Sequence, residues 1–105
     1  MLGKRRNEYE MTEYPPDAIG DGLCAVTTAG VRVQLTTTKT PCKKVLITAN
    51  GNNTGTIYVG GATIDNTRGK ALVPLQDVEI WIDDLSKEYI DASVSLEGIS
   101  YVFVS

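Results

Sequence analysis

The chain has 105 residues, 42% of them apolar, with a net charge of −3 and a mean hydropathy of −0.09. That suits one globular domain with a single core, and no apolar run approaches the ~20 residues that span a bilayer. Histidine is absent and there are two cysteines, which removes Ser-His-Asp and Cys-His catalysis and a four-ligand zinc site.

The charge is unevenly spread. Residues 21–75 hold six bases against two acids, whereas residues 76–105 hold Lys87 alone against seven carboxylates. Two readings stand: solvated loops and strand faces, or a positive edge meeting a negative edge across a subunit contact, which would set register. The acidic balance, with bases not interleaved with exposed aromatics, speaks against nucleic acid as a partner.

Residues 1–20 show neither helical nor strand periodicity. The positive start, Met1 to Arg6, lacks the apolar stretch of a secretory signal, so the chain is expected to work without crossing a membrane. Tyr14-Pro15-Pro16 imposes an extended path. Leu2, Tyr9, Met11, Tyr14 and Ile19 are too apolar for a pure spacer. The segment reads as an extended arm that orders by lying on a neighbouring protein surface; a frayed terminus is the plainer alternative.

From Asp21 the texture becomes that of strands. Leu23–Thr28 and Val31–Thr36 flank an Ala29-Gly30 turn, and a Thr-rich connector then ends at Pro41, which cannot donate to a central ladder. The stretch Lys43–Gly61 organises the rest. Val45, Ile47 and Ala49 alternate with Leu46 and Thr48, an Asn/Gly-rich loop follows, and Thr56–Val59 is again β-rich. This predicts an antiparallel hairpin, Lys43–Ala49 with Gly55–Gly60.

Ala62–Lys70 is a loop, and Ala71–Val73 is a short strand stopped by Pro74. Gln76–Asp83 alternates, with Val78, Ile80 and Ile82 on one face and Asp77, Glu79 and Trp81 on the other. Trp81 on a polar face suits an interface anchor, with a cap on a barrel end or packing under the arm as the alternatives. Asp83–Lys87 is a turn, with room for one helical turn capped by Asp. In Tyr89–Leu96 the pattern turns Ile90, Ala92, Val94 and Leu96 inward, and Ile99–Val104 closes the chain. The expected fold is all-β: about eight antiparallel strands in a β-sandwich, jelly-roll-like, spanning residues 21–105 behind the arm at 1–20.

Cys24 and Cys42 sit at predicted strand ends and read as free, packed thiols, with a bridge between them as the alternative. The carboxylates Asp83, Asp84, Glu88 and Asp91 do not have the spacing of a calcium loop and read as solvated turn residues. No phosphate-binding glycine pattern is present. Residue patterns therefore point to no metal, no cofactor and no catalytic group.

Several local patterns together resemble small all-β structural proteins of tailed bacteriophages. They are Val33-Gln34-Leu35 before a Thr-rich connector and Pro41-Cys42-Lys43, then Ile57-Tyr58-Val59-Gly60-Gly61 after an Asn/Thr/Gly turn. Gly69-x-x-Leu72 comes ahead of the Val78 strand, and Asp83-Asp84-Leu85-Ser86 leads to Tyr89-Ile90-Asp91 and Ile99-Ser100-Tyr101. The resemblance runs from Val26 to Val104; a Pro-Gly turn often stands where this chain has Pro74-Leu75-Gln76.

The resemblance implies a virion protein, assembled in the host cytoplasm, that decorates and cements the outside of the head by binding the major capsid protein, often as a homotrimer. On that reading Tyr9, Met11, Tyr14 and Ile19 face the capsid, while Trp81 and Tyr58 serve the oligomer interface. The alternative is a tail or baseplate domain that contacts host glycans through Tyr58 and Trp81.

Overall fold

The structure, a computed structural model, describes residues 18–105. Eight strands follow in order: β1 (Ile19–Ala25), β2 (Val33–Gln34), β3 (Lys44–Ala49), β4 (Ile57–Gly60), β5 (Lys70–Leu72), β6 (Asp77–Trp81), β7 (Tyr89–Ala92) and β8 (Gly98–Val104). They form two antiparallel four-stranded sheets. Sheet A has the order β1-β8-β3-β6, and sheet B has the order β2-β7-β4-β5. The β-sandwich expected from the alternating apolar positions is the fold. β1 opens at Ile19 rather than beyond residue 20, so the end of the predicted arm belongs to the sheet.

Alternation sets the core. Val45, Ile47 and Ala49 of β3 face Ile57 and Val59 of β4 across the sandwich, joined by Leu72, Ile90, Ala92 and Ile99. Val45, Ile47, Ile57, Ile90 and Ile99 are wholly buried. Each contributes about 1.5–3 kcal/mol from removal of its side chain from water.

The expected hairpin between Lys43–Ala49 and Gly55–Gly60 is not formed. β3 pairs with β6 and β8, whereas β4 pairs with β5 and β7. Seven residues separate the two strands, enough to cross the ~10 Å between packed sheets. The crossing satisfies its backbone without a ladder. Glu97 accepts hydrogen bonds from the Thr54 and Gly55 N–H groups at 2.6 and 2.9 Å. Buried Asn53 donates to the Gly98 carbonyl at 2.8 Å, and Ser93 Oγ accepts from Thr56 N–H. The stretch still organises the fold, because it supplies an inner strand to each sheet. The hairpin lies one strand later: Ile57–Val59 pairs with Lys70–Leu72.

Two further strand boundaries shift. The second strand shrinks to Val33–Gln34, leaving Val31 exposed. β7 ends at Ala92, so Val94 and Leu96, expected inside, are exposed. There the chain leaves sheet B for sheet A. Val26 opposes both Leu96 and Glu97, accepting from one N–H and donating to the other carbonyl, and Leu96 takes φ 72°, the geometry of a bulge. The Asp83–Lys87 turn is one 3-10 turn over Leu85–Lys87 with Asp84 as its N-cap.

Candidate interaction faces

Strand parity divides the surface into two faces of different chemistry. On sheet A the outward residues run in rows fixed by the register. One row is Ile19, Val104, Lys44 and Trp81, and the next is Asp21, Val102, Leu46 and Glu79. Ile19, Leu23 and Trp81 are 77%, 79% and 73% exposed, with Leu46 and Val102 also exposed between them. A contiguous apolar patch on a sheet face is the signature of a surface that meets another molecule.

Trp81 is held in place by its neighbours. Lys44 lies directly across the ladder, with its ammonium 5.1 Å from the indole centroid and 3.0 Å from Glu79 Oε2. Such surface pairs are worth about 0–1 kcal/mol each, so their effect is on the ring's placement more than on stability. The contact also joins the basic and acidic halves of the chain within one sheet.

β1 is an edge strand, and no described residue pairs with its outer side. The mutual hydrogen bonds between Ala18 and Ser105 fix the ladder's parity. They turn the backbone groups of Ile19, Asp21, Leu23 and Ala25 away from β8. On the inner side, the Phe103 and Tyr101 rings lie over Gly20 and Gly22, where a Cβ would collide with ring atoms. The glycines therefore allow the aromatic rings to close the edge of the core.

On sheet B the outward residues are polar. Tyr58 pairs with Asp91 and Gly60 with Tyr89, so both tyrosines and Asp91 share one face. Asp91 is only 2% exposed, because the loop before β2 folds over it: Gly30 N–H donates to Asp91 Oδ1 at 3.0 Å.

The predicted site residues separate accordingly. Tyr9, Met11 and Tyr14 lie outside the described residues. Ile19 sits on the outer face of β1, in one row with Trp81. Trp81 and Tyr58 occupy the outer faces of opposite sheets, so they do not build a single site.

The acidic group is not the solvated turn cluster expected. Asp84, Glu88 and Asp91 are all buried. Asp84 Oδ1 accepts from the N–H groups of Thr40 and Ser86 and from Ser86 Oγ, and these donors, Thr40 foremost, hold its carboxyl below the usual range. Asp83, which is exposed, is paired with Lys87 at 2.8 Å, and that bond lowers its pKa. Glu88 has no side-chain partner among the described residues, and burial pushes its carboxyl up to about 7. Its place on the inward parity of Ile90 and Ala92 was the available signal in the sequence.

Among the described residues no three acidic or cysteine side chains gather where they could hold a metal ion. Cys24 and Cys42 are free thiols, each donating to a carbonyl, of Gln34 and Ile82 respectively. No described helix is long and apolar enough to cross a membrane. No protein-family model matches the chain, and no curated protein or solved structure matches it either.

Proposed function

We propose that this chain is a non-enzymatic structural protein that docks on a larger protein assembly through the outer face of sheet A. The observation that carries the reading is the apolar patch of Ile19, Leu23, Leu46 and Val102 on the outer face of sheet A, beside the β1 edge that no described residue pairs. Such a patch and edge together offer side-chain burial and main-chain hydrogen bonds to a partner.

The assembly we propose is the head of a tailed bacteriophage, with this chain as a decoration (cement) protein bound to the major capsid protein. The resemblance between Val26 and Val104 supports that choice. So does the nested pairing of β1 with β8, β2 with β7, β3 with β6 and β4 with β5, which favours a jelly-roll wrap, an architecture used in viral capsid proteins. A clamp that binds only the assembled lattice stabilises it by mass action.

In this reading Ile19 and Leu23, with Tyr9, Met11 and Tyr14 before them, meet the capsid, and Trp81 at the opposite edge of sheet A meets a neighbouring copy in a trimer. Trp81 and Tyr58 lie on opposite sheets, so in a trimer, whose contacts join unlike surfaces, each would meet a different part of a neighbouring copy. The test is the copy number in purified particles, with re-binding of added protein to stripped heads. A ratio within a few-fold of the capsid subunit, and loss of re-binding in Leu23→Asp and Val102→Asp, are expected. A handful of copies would place the protein on the tail or a unique vertex. Absence from particles, or undiminished binding by both variants, would overturn the proposal.

A further inference from the structure

The outer face of sheet B carries two adjoining depressions. One, of about 340 Å³, has Tyr58, Asp65, Asn66, Asp91 and Ser93 in its walls. The other, of about 450 Å³, is bounded by Val31, Arg32 and Tyr89. Gly30 borders both. Tyr58 and Tyr89 are diagonal neighbours across the β4–β7 ladder, about 7–8 Å apart along the backbone, and each is half-buried.

The walls are fixed by hydrogen bonds. The loop before β2 is anchored where Ala29 N–H donates to Ser95 Oγ at 2.9 Å and Gly30 N–H to Asp91 Oδ1. The loop after β4 is tied to it by Arg32 Nη1, which donates to the Ile64 carbonyl at 3.4 Å. Asp65 folds its own loop by accepting from Thr67 N–H and Oγ.

Asp91 marks where a ligand belongs. It is almost fully buried, and its Oδ1 serves Gly30 N–H and Ala92 N–H. Its Oδ2 has no donor among the described residues. A buried carboxylate oxygen without a donor is costly, and this residue lines the depression, where a hydroxyl can supply the missing bond.

The chemistry around it is mixed in a specific way. Two tyrosine rings offer apolar faces with polar tips. Asp65 and Asp91 accept, Asn66 both donates and accepts, and Arg32 donates. Two carboxylates against one guanidinium repel phosphates and sulfates, and a wholly apolar ligand would leave the carboxylate, amide and guanidinium groups of these mixed walls without partners. A ring with C–H faces and a rim of hydroxyls satisfies every group.

We propose that this cleft binds a neutral oligosaccharide, with one sugar ring against Tyr58 and Asp91 and the next against Tyr89 and Arg32. The proposal is independent of the docking face, which lies on the other sheet.

The experiment is titration of the full ¹⁵N-labelled chain with maltotriose, cellotriose, mannotriose and chitotriose, read by amide chemical shifts. At least one sugar should shift Gly30, Tyr58, Asn66 and Tyr89 while leaving Trp81, on the opposite sheet, unmoved. Tyr58→Ala and Asn66→Ala should each weaken binding about tenfold, a modest loss in keeping with one ring or amide contact. Asn66 is exposed in a loop, so its variant decides the matter if Tyr58→Ala does not fold. No shift with any of the four at about 10 mM, a concentration that saturates even millimolar sites, would overturn the proposal. So would shifts centred on Trp81, or the same shifts produced by calcium alone.

Discussion

Glu88 lies on the inward side of β7's approach, 3% exposed, and its carboxylate has no partner among the described residues. Burial raises its pKa from 4.5 to about 7 in the folded chain. Because the folded value is the higher one, the native state binds the proton more tightly than the unfolded chain does. Stability is therefore full below about pH 4.5, falls as the pH rises to about 7, and is level beyond. At about 1.4 kcal/mol per pH unit the interval caps the loss near ~3 kcal/mol, and water reaching the carboxylate lowers it toward about 1–2 kcal/mol.

Glu88→Gln removes the charge and keeps the shape. The variant should match the wild type at about pH 4.5 and melt about 5–15 °C higher at about pH 8, using the ~4–8 °C per kcal/mol typical of a domain this size. The assay is thermal unfolding of both proteins across that range, with their difference plotted against pH. The difference cancels every other titrating group, and with no histidine in the chain few others are active there. A difference that stays constant with pH, or a variant that is less stable at pH 8, would refute the argument by showing the charge solvated or paired.

Two other perturbations test neighbouring parts of the fold. Glu97 is held below the ordinary carboxylate range by donors from Thr54, foremost its N–H, and from Gly55. The stability it contributes is present above the unfolded carboxylate pKa and lost as the pH falls through its folded value, so Glu97→Gln should lower the neutral-pH melting temperature and shrink the wild type's loss on acidification, both read in one pH series of melts. Leu75 sits at φ 72° as the third residue of the turn in which Gln76 N–H donates to the Val73 carbonyl, and Leu75→Asn should stabilise the chain by about 1 kcal/mol, because asparagine tolerates that conformation and leucine does not; urea unfolding at a shifted midpoint with an unchanged slope would bear this out, and a loss of stability would not.

That last turn shows how far the residues alone could be read. Pro74 at the second position and a positive φ at the third make a type II turn, the geometry a Pro-Gly pair would give, although glycine is missing. Alternation placed Val45, Ile47, Val78, Ile80 and Ile90 inward correctly, because one buried face leaves a period of two whichever sheet the strand joins. What the period cannot state is which sheet that is. The Lys43–Gly61 stretch looks like a hairpin for this reason: its loop has turn chemistry, and only Asn53, Ser93 and Glu97, far apart in the chain, reveal that the turn spans two sheets. Val94 and Leu96 continue the apolar period of β7 past its end, since the crossing to β8 needs a bulge that no residue type announces. The acidic residues depart from expectation because carboxylates are usually solvated; parity with Ile90 and Ala92 points Glu88 inward, whereas Asp91 is outward by parity and is buried only because the loop before β2 folds over it.

The same parity explains how one small domain presents two surfaces. In each sheet the inner face is spent on the common core, leaving the outer faces free to differ. Sheet A keeps apolar side chains outside as well as inside, with Ile19, Leu23 and Val102 exposed and Lys44, paired with Glu79, lying over the Trp81 ring. Sheet B covers its outer face with its own loops, burying Asp91 beneath Gly30 and leaving a cleft between them. An apolar sheet face that no described residue covers favours a broad protein contact, whereas a loop-walled cleft with fixed polar groups favours a small ligand. Because the faces point in opposite directions, a partner bound on sheet A leaves the cleft of sheet B open. A Leu23→Asp variant that loses the first activity should therefore keep the second unchanged.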